Sequence, residues 1–380
     1  MTFNVEYLVA FYMLICIAMT AFNFVFLANE RVRSRRFERK MERMAVELGA
    51  EIERNADFPT DEHRDVLVRR MRHLSGMEAF DLTMDKLLAL DEDKSERYLR
   101  GIASVFERLT YRFEKRDDLR CAYFAYIVGR WYRARPAGTA VTGALLHFVR
   151  ERSFYARQNA LTALACVGGV DDLLDAIEAL ETHEDFHHPK LVTEALLAFR
   201  GQRRVLSDEA IARFDRFGAV TQAAIVNFVR MEDADALRRR PRASLGKRHR
   251  HHRDWAFGLL RDEGVHAEVR LAAERYFMSC PYDPAGAALR GLAQLDNPRR
   301  WEFAAVAASV LAAYPDPRTI AVLKRCLSSR IWYVRYNAAK SLHDLGVTAA
   351  ELADVLSGPD RFAADMVRYR WKLASGGDPA

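Results

Sequence analysis

The sequence predicts an all-α protein with a membrane-spanning start and a repeating helical body. Three observations lead there. A run of 22 uncharged residues, 7–28, opens the chain. Beyond it apolar residues recur at helical spacing, no stretch alternates apolar and polar as a half-buried strand does, and only 19 glycines and 11 prolines punctuate 380 residues. Finally, a short sequence pattern returns several times in the second half of the chain.

The first element is a membrane anchor, assigned to residues 1–30. Twenty-two helical residues reach about 33 Å, enough for a hydrocarbon core of roughly 30 Å. Only Thr20 and Asn23 are clearly polar within the run. Glu6 precedes it without any lysine or arginine, and Phe26 stands where a cleavage site needs a small residue, so the segment reads as a retained anchor and not as a cleaved signal peptide. Arg31, Arg33, Arg35, Arg36, Arg39 and Lys40 follow directly. This asymmetry predicts a single-pass protein of the cell membrane, with its N-terminus outside and the bulk of the chain cytoplasmic. The same six cations form a membrane flank suited to anionic lipids.

Charge is concentrated. Residues 31–40 carry net +5 and residues 238–253 carry net +8, so removing both stretches turns the overall +6 into −7. A protein that wraps nucleic acid spreads its basic residues over a broad face, so this distribution makes nucleic acid an unfavoured partner. The cysteines, Cys16, Cys121, Cys166, Cys280 and Cys326, are odd in number and lack any CxxC pair. They read as reduced thiols without a disulfide framework or a zinc cage.

Residues 31–59 read as a basic juxtamembrane helix or linker, broken at Asp57-Phe58-Pro59 with Thr60 opening the next helix. Residues 60–150 form an N-terminal helical cap, with about four helices over 61–135. One of these carries Tyr123, Phe124, Tyr126, Trp131 and Tyr132. Aromatic residues on several faces belong to a helix buried in a larger core. The alternative is an exposed docking surface made by Tyr123, Tyr126 and Trp131.

Residues 151–372 hold the repeat, ahead of a flexible tail at 373–380. Ile331-Trp332-Tyr333-Val334-Arg335-Tyr336-Asn337-Ala338-Ala339 aligns with Val265-His266-Ala267-Glu268-Val269-Arg270-Leu271-Ala272-Ala273 and with Ser153-Phe154-Tyr155-Ala156-Arg157-Gln158-Asn159-Ala160. Looser copies bring the anchor positions to 156, 192, 220, 269, 303 and 334, spaced by 36, 28, 49, 34 and 31 residues. That is the period of helix-pair repeats. The pattern resembles the HEAT-repeat (armadillo-like) family, in which a Val-Arg pair is followed by two alanines and a leucine. The resemblance implies a right-handed α-solenoid of HEAT-like helix pairs. It also implies that Arg157, Arg270 and Arg335 bridge to acids in neighbouring repeats.

The long 49-residue interval contains Arg238, Arg239, Arg240, Arg242, Lys247, Arg248, Arg250 and Arg253. With Pro241 and Gly246 inside it, the segment reads as a loop inserted on one rim of the solenoid. A solvated charged loop, contact with anionic headgroups, docking to an acidic protein and nucleic-acid binding all fit such a composition.

A search for catalytic patterns yields no GxGxxG, P-loop or HExxH. His183, Glu184, Asp185, His187 and His188 are metal-capable but sit where a polar inter-helix turn belongs, and His249, His251 and His252 lie among arginines that repel a cation. The sequence therefore points to a non-enzymatic protein with no cofactor, no metal and no catalytic residue. Its layout and the Ala122-Tyr123-Phe124-Ala125-Tyr126 segment resemble bacterial HEAT-repeat proteins with one N-terminal span, associated with the membrane glycosyltransferases of envelope polysaccharide synthesis. This resemblance implies a scaffold that docks an integral-membrane protein partner. The alternative is a binder of nucleic acid or anionic lipid acting through 238–253.

Overall fold

The computed structural model describes residues 5–113, 118–134, 138–150, 153–181, 189–239, 247–295 and 297–374. All regular structure among them is helical: twenty α-helices joined by short turns and single 3-10 turns. They form two compact units, residues 1–169 and 170–380.

The first unit begins with α1 (Val5–Asn55), one continuous 51-residue helix. It is long and apolar enough near its start to cross a membrane, and every side chain from Phe11 to Arg39 is exposed. Near its other end the same helix enters the protein core: Ala45, Leu48 and Ile52 are buried. The stretch expected as a juxtamembrane helix or linker is thus helical to Asn55 and partly core, packed on α3 (Leu74–Leu90), whose Thr83 Oγ1 donates to the Ala45 carbonyl at 3.2 Å.

Between them lies α2 (Asp61–Met71), started by Thr60, whose hydroxyl accepts from the His63 amide at 3.2 Å. Asp91 caps α4 (Glu92–Gly101) in the same way, and α5 (Ala103–Phe113) and α6 (Asp118–Trp131) follow. Residues 61–131 thus hold five helices where periodicity suggested about four, because the single residue Asp91 suffices to separate α3 from α4. Then come α7 (Thr139–Val149) and α8 (Phe154–Val167).

Edge-to-face rings bind this unit together, Phe80 to Phe106 and Phe106 to Tyr132, while Phe113 stacks on Phe124. The most extensive packing is between α6 and α8. It is close because Gly129 lacks a side chain, since a Cβ there would lie 3.0 Å from the Ala163 Cα. For the same reason α8, expected to open the repeat array at 151, belongs to the first compact unit, and the division falls after Gly169.

The second unit runs through α9 (Val170–Leu180), α10 (Pro189–Ala198), α11 (Arg203–Ala212), α12 (Ala219–Arg239), α13 (Lys247–Arg261), α14 (Ala267–Ser279), α15 (Asp283–Ala293), α16 (Trp301–Val310), α17 (Pro317–Cys326), α18 (Trp332–Asp344), α19 (Ala353–Leu356) and α20 (Arg361–Ala374). Within it, α10, α12, α14, α16, α18 and α20 pack each on the next, while α13, α15 and α17 make a second sequence of contacts. Alanines at the contacts, such as Ala273, Ala304, Ala308 and Ala338, are buried and let the helices approach. Asn337 Nδ2 donates to the Ala305 carbonyl at 2.7 Å, tying α18 to α16. In the first unit Asn159, at the same place in the sequence pattern, donates to the Ala122 carbonyl at 2.9 Å, tying α8 to α6.

Two of the recurring arginines, Arg270 and Arg335, do something other than expected. Arg270 Nε donates to the Leu260 carbonyl at 3.3 Å, and its guanidinium lies 4.9 Å from the Phe303 ring centre. Arg335 donates to the Ser329 carbonyl at 2.7 Å and faces Phe362. Among the described residues neither forms an ion pair. A planar guanidinium can satisfy its donors on carbonyls while stacking on a ring, so no acid is required.

Candidate functional site: the basic segment and the aromatic surfaces

The basic segment 238–253 is not one loop. Arg238 and Arg239 form the last turn of α12, and Lys247 already begins α13; residues 240–246, Arg240 and Arg242 among them, lie outside the described residues. The reason for the helical start is a buried polar centre that sequence inspection missed. Asp233 on α12 is almost wholly buried, as are His252 on α13 and Tyr276 on α14. The Asp233 carboxylate accepts from the Tyr276 hydroxyl at 2.7 Å and faces Nδ1 of His252 at 3.0 Å and Nδ1 of His249 at 2.9 Å. On its other side, His252 Nε2 meets Asp208 of α11 at 3.0 Å, and Arg248 Nε donates to the same Asp208 oxygen at 2.6 Å. Four helices converge on this chain of charges.

The electrostatics follow from burial and partners. Burial raises the Asp208 pKa, but hydrogen bonds from Arg248 and His252 outweigh it and hold the carboxyl below its usual range. Burial pushes His249 down against the pull of Asp233. Tyr276 is driven well above the ordinary phenol range by burial and then by the Asp233 charge. Cys280, at the end of α14, is pushed up to about 12, first by burial and then by the same carboxylate. A thiol so placed is a poor nucleophile. His252 is fully buried, so no substrate reaches it. The centre holds helices together, and this is the chemistry its geometry allows.

That sorting changes which cations face outward. Arg248 is bound to Asp208, and Arg253 donates to the His249 carbonyl at 3.1 Å with its head 5.8 Å from the Tyr282 ring centre. Arg239 pairs with Asp235 at 2.8 Å on the surface. Arg238 and Arg250 remain exposed and, among the described residues, without an acidic partner. The membrane-flank residues Arg31, Arg33, Arg35, Arg36, Arg39 and Lys40 are all exposed along α1.

The aromatic residues on α6 divide as well. Trp131 is buried and its indole N–H donates to Asp81 at 2.6 Å, so it belongs to the core and offers no docking surface. Tyr126 is exposed, Tyr123 is half-buried, and their ring centres are 5.5 Å apart. Arg130 lies beside Tyr126 and is held by Asp81 at 2.6 Å and Asp85 at 2.5 Å. Burial pushes the Tyr123 hydroxyl above the ordinary phenol range.

A second aromatic surface was not singled out from the sequence. Trp332 and Tyr333 at the start of α18 are about half exposed, at 48% and 55%. Trp332 stacks on Tyr336 with ring centres 5.0 Å apart, and Tyr333 stacks on Trp301 at 5.2 Å. In the first unit Phe154 and Tyr155 are exposed at the matching place in the repeat pattern. The signal was present: an aromatic pair stands just before the anchor position in both segments.

Among the described residues no three His, Cys, Asp or Glu side chains are placed to hold a metal ion. His183, Glu184, Asp185, His187 and His188 lie outside the described residues. No known family profile matches the sequence, and no characterised protein matches it.

Proposed function

We propose that the chain is a non-enzymatic, membrane-anchored adaptor whose helical body is a right-handed solenoid of HEAT-like pairs and docks protein partners at the cytoplasmic face. The observation that carries this reading is α1, which runs unbroken from an apolar, fully exposed segment into the core of the first unit. Such a helix holds a folded body at the membrane, where tethering raises its effective concentration beside integral-membrane partners. The basic flank after the apolar stretch supports an N-terminus outside and a cytoplasmic body. The alternating contacts of the second unit support the repeat architecture, which exposes a long surface per residue of chain. The Trp332–Tyr333–Tyr336 surface supplies rigid aromatic side chains of the kind that anchor protein interfaces. The partner is an integral-membrane protein, and the glycosyltransferase machinery of envelope polysaccharide synthesis is the proposed system.

Crosslinking in the native membrane, mild-detergent purification and mass spectrometry test this reading. A stoichiometric integral-membrane protein, lost when Trp332 and Tyr333 are both replaced by alanine, is the expected result. Recovery of the chain without any protein partner counts against it. Exposed Arg238 and Arg250 favour a second reading, in which the basic segment binds an anionic lipid surface or nucleic acid. It predicts binding that weakens steeply with salt and is reduced in R238Q/R250Q.

A further inference from the structure

A further cluster of arginines belongs to the first unit and shares no residue with the segments 31–40 and 238–253. Val68 and Arg69 stand three and four residues after Asp65 and four and three before Arg72, on and just after α2, and so share one face of it. Arg108 and Arg112 are one turn apart on α5, which packs against α2. Together these six residues line a cavity of about 250 Å³. Arg108 donates to Asp65 at 2.7 Å, which fixes one wall of the groove to the other. Arg72 Nε bonds only the Arg69 carbonyl, at 3.3 Å. Among the described residues Arg69, Arg72 and Arg112 have no acidic partner, so four guanidinium groups surround the cavity with a single carboxylate between them.

Arginines near helix C-termini are ordinary, since they offset the negative end of the helix dipole. That explanation covers Arg69 and Arg112 one at a time. It does not explain why the ends of two helices bring their arginines to one concavity, where like charges oppose one another. An anion in the groove removes the conflict. Guanidinium forks match the oxygens of a phosphate group. The volume falls below the roughly 300 Å³ at which sites for drug-sized ligands begin, so it suits a phosphate-bearing head and not a whole dinucleotide.

We propose that the groove between α2 and α5 is a binding site for a phosphate-type dianion, supplied by a lipid headgroup or by a soluble phosphorylated ligand. The site is independent of the adaptor reading, since it rests on neither the aromatic surface nor the basic segment.

The test uses the full chain in nanodiscs of neutral phosphatidylcholine, titrated calorimetrically with inorganic pyrophosphate at low salt. Wild type is expected to bind with a dissociation constant of about 0.1–1 mM. R69Q/R112Q is expected to weaken binding at least about tenfold, since each substitution removes a charge-assisted fork. Its melting temperature without ligand is expected to hold or rise, which separates lost binding from lost folding. R200Q/R204Q, which removes the same charge from exposed arginines of the second unit, is expected to bind as wild type does. Absence of binding in wild type, equal affinity in R69Q/R112Q, or an equal loss in R200Q/R204Q overturns the proposal. Discs carrying phosphatidic acid separate the sources. A loss of pyrophosphate affinity beyond that seen in equally charged phosphatidylglycerol discs identifies a lipid headgroup, and no such loss identifies a soluble ligand.

Discussion

His63 in the first unit and His252 in the second are both almost wholly buried, and each lies in a centre that also holds a carboxylate and a tyrosine. Around His63, Nδ1 faces Glu51 at 3.1 Å and Nε2 faces the Tyr98 hydroxyl at 2.8 Å. A hydroxyl can donate, so a neutral ring with its proton on Nδ1 satisfies both partners. Burial pushes the His63 pKa down, and the Glu51 hydrogen bond only partly offsets it. Around His252, each ring nitrogen faces a carboxylate, Asp233 at 3.0 Å and Asp208 at 3.0 Å. Tyr276 bonds Asp233 instead of the histidine. The second acid makes the difference. One centre sets its histidine between a single carboxylate and a hydroxyl, the other between two carboxylates, and their responses to mutation should diverge.

Removing the acid should separate them most. D233N leaves Tyr276, His249 and His252 facing an amide, and removing the acceptor of a buried hydrogen-bond network costs about 3 kcal/mol. E51Q, next to a neutral histidine and at a partly exposed acid, should cost about 1 kcal/mol. Urea unfolding followed by hydrogen exchange, read separately over α12–α14 and α1–α4, measures both. Equal losses would erase the distinction.

A second acid in the second unit has the opposite character. Glu274 is fully buried, and neither of its carboxylate oxygens has a hydrogen-bond partner. Burial raises its pKa well above 4.5 despite the nearby charges of Arg275 and Arg270. E274L should therefore stabilise the second unit by about 1–3 kcal/mol. The sign with pH follows from proton binding. Above the unfolded value near 4.5 the native state keeps a proton that the unfolded chain releases, so the wild-type contribution falls as pH rises toward the folded pKa. The advantage of E274L should thus grow with pH above about 4.5. Thermal melts of both proteins at pH 4, 6 and 8 check this, and a pH-independent difference would reject it.

Y98F removes only the hydroxyl from the His63 centre, and should cost about 1 kcal/mol in α2 and α4 exchange protection. The smallest effect concerns pH in the same place. His63 has a folded pKa below 6.5, so its contribution is present above that value and is lost as pH falls through it toward the folded pKa. H63Q should flatten the dependence of α2 exchange protection between pH 5 and 7. Asp208 follows the same direction lower on the scale: its depressed pKa keeps its contribution until pH falls below about 3.8.

Helical periodicity made the class of the molecule and its apolar first helix readable, because both depend on local spacing alone. The break at Thr60 was readable for the same reason, since a capping hydroxyl acts on its own helix. The unit boundary was not, because it follows from how closely Gly129 lets α8 approach. The polar centre was half readable. His249 and His252 stand three apart and so face one way on a helix, but the arginines around them suggested a solvated loop, and nothing local marks Asp208 or Asp233 as partners. Glu274 did leave a signal. It occupies the repeat position held by Leu161 and Ala339, where an acid has no business unless it is buried and paired, and it is buried and unpaired.

The unbroken course of α1 has a mechanical consequence. Between the apolar stretch and the buried Ala45 there is no turn to absorb torsion, so the helix acts as a shaft whose azimuth sets the heading of the first unit relative to the apolar stretch. Deleting one residue between 30 and 44 rotates the first unit by about 100°, whereas deleting seven returns it to nearly the same heading and draws it about 10 Å inward. Distance and heading are thus separately adjustable by chain length alone.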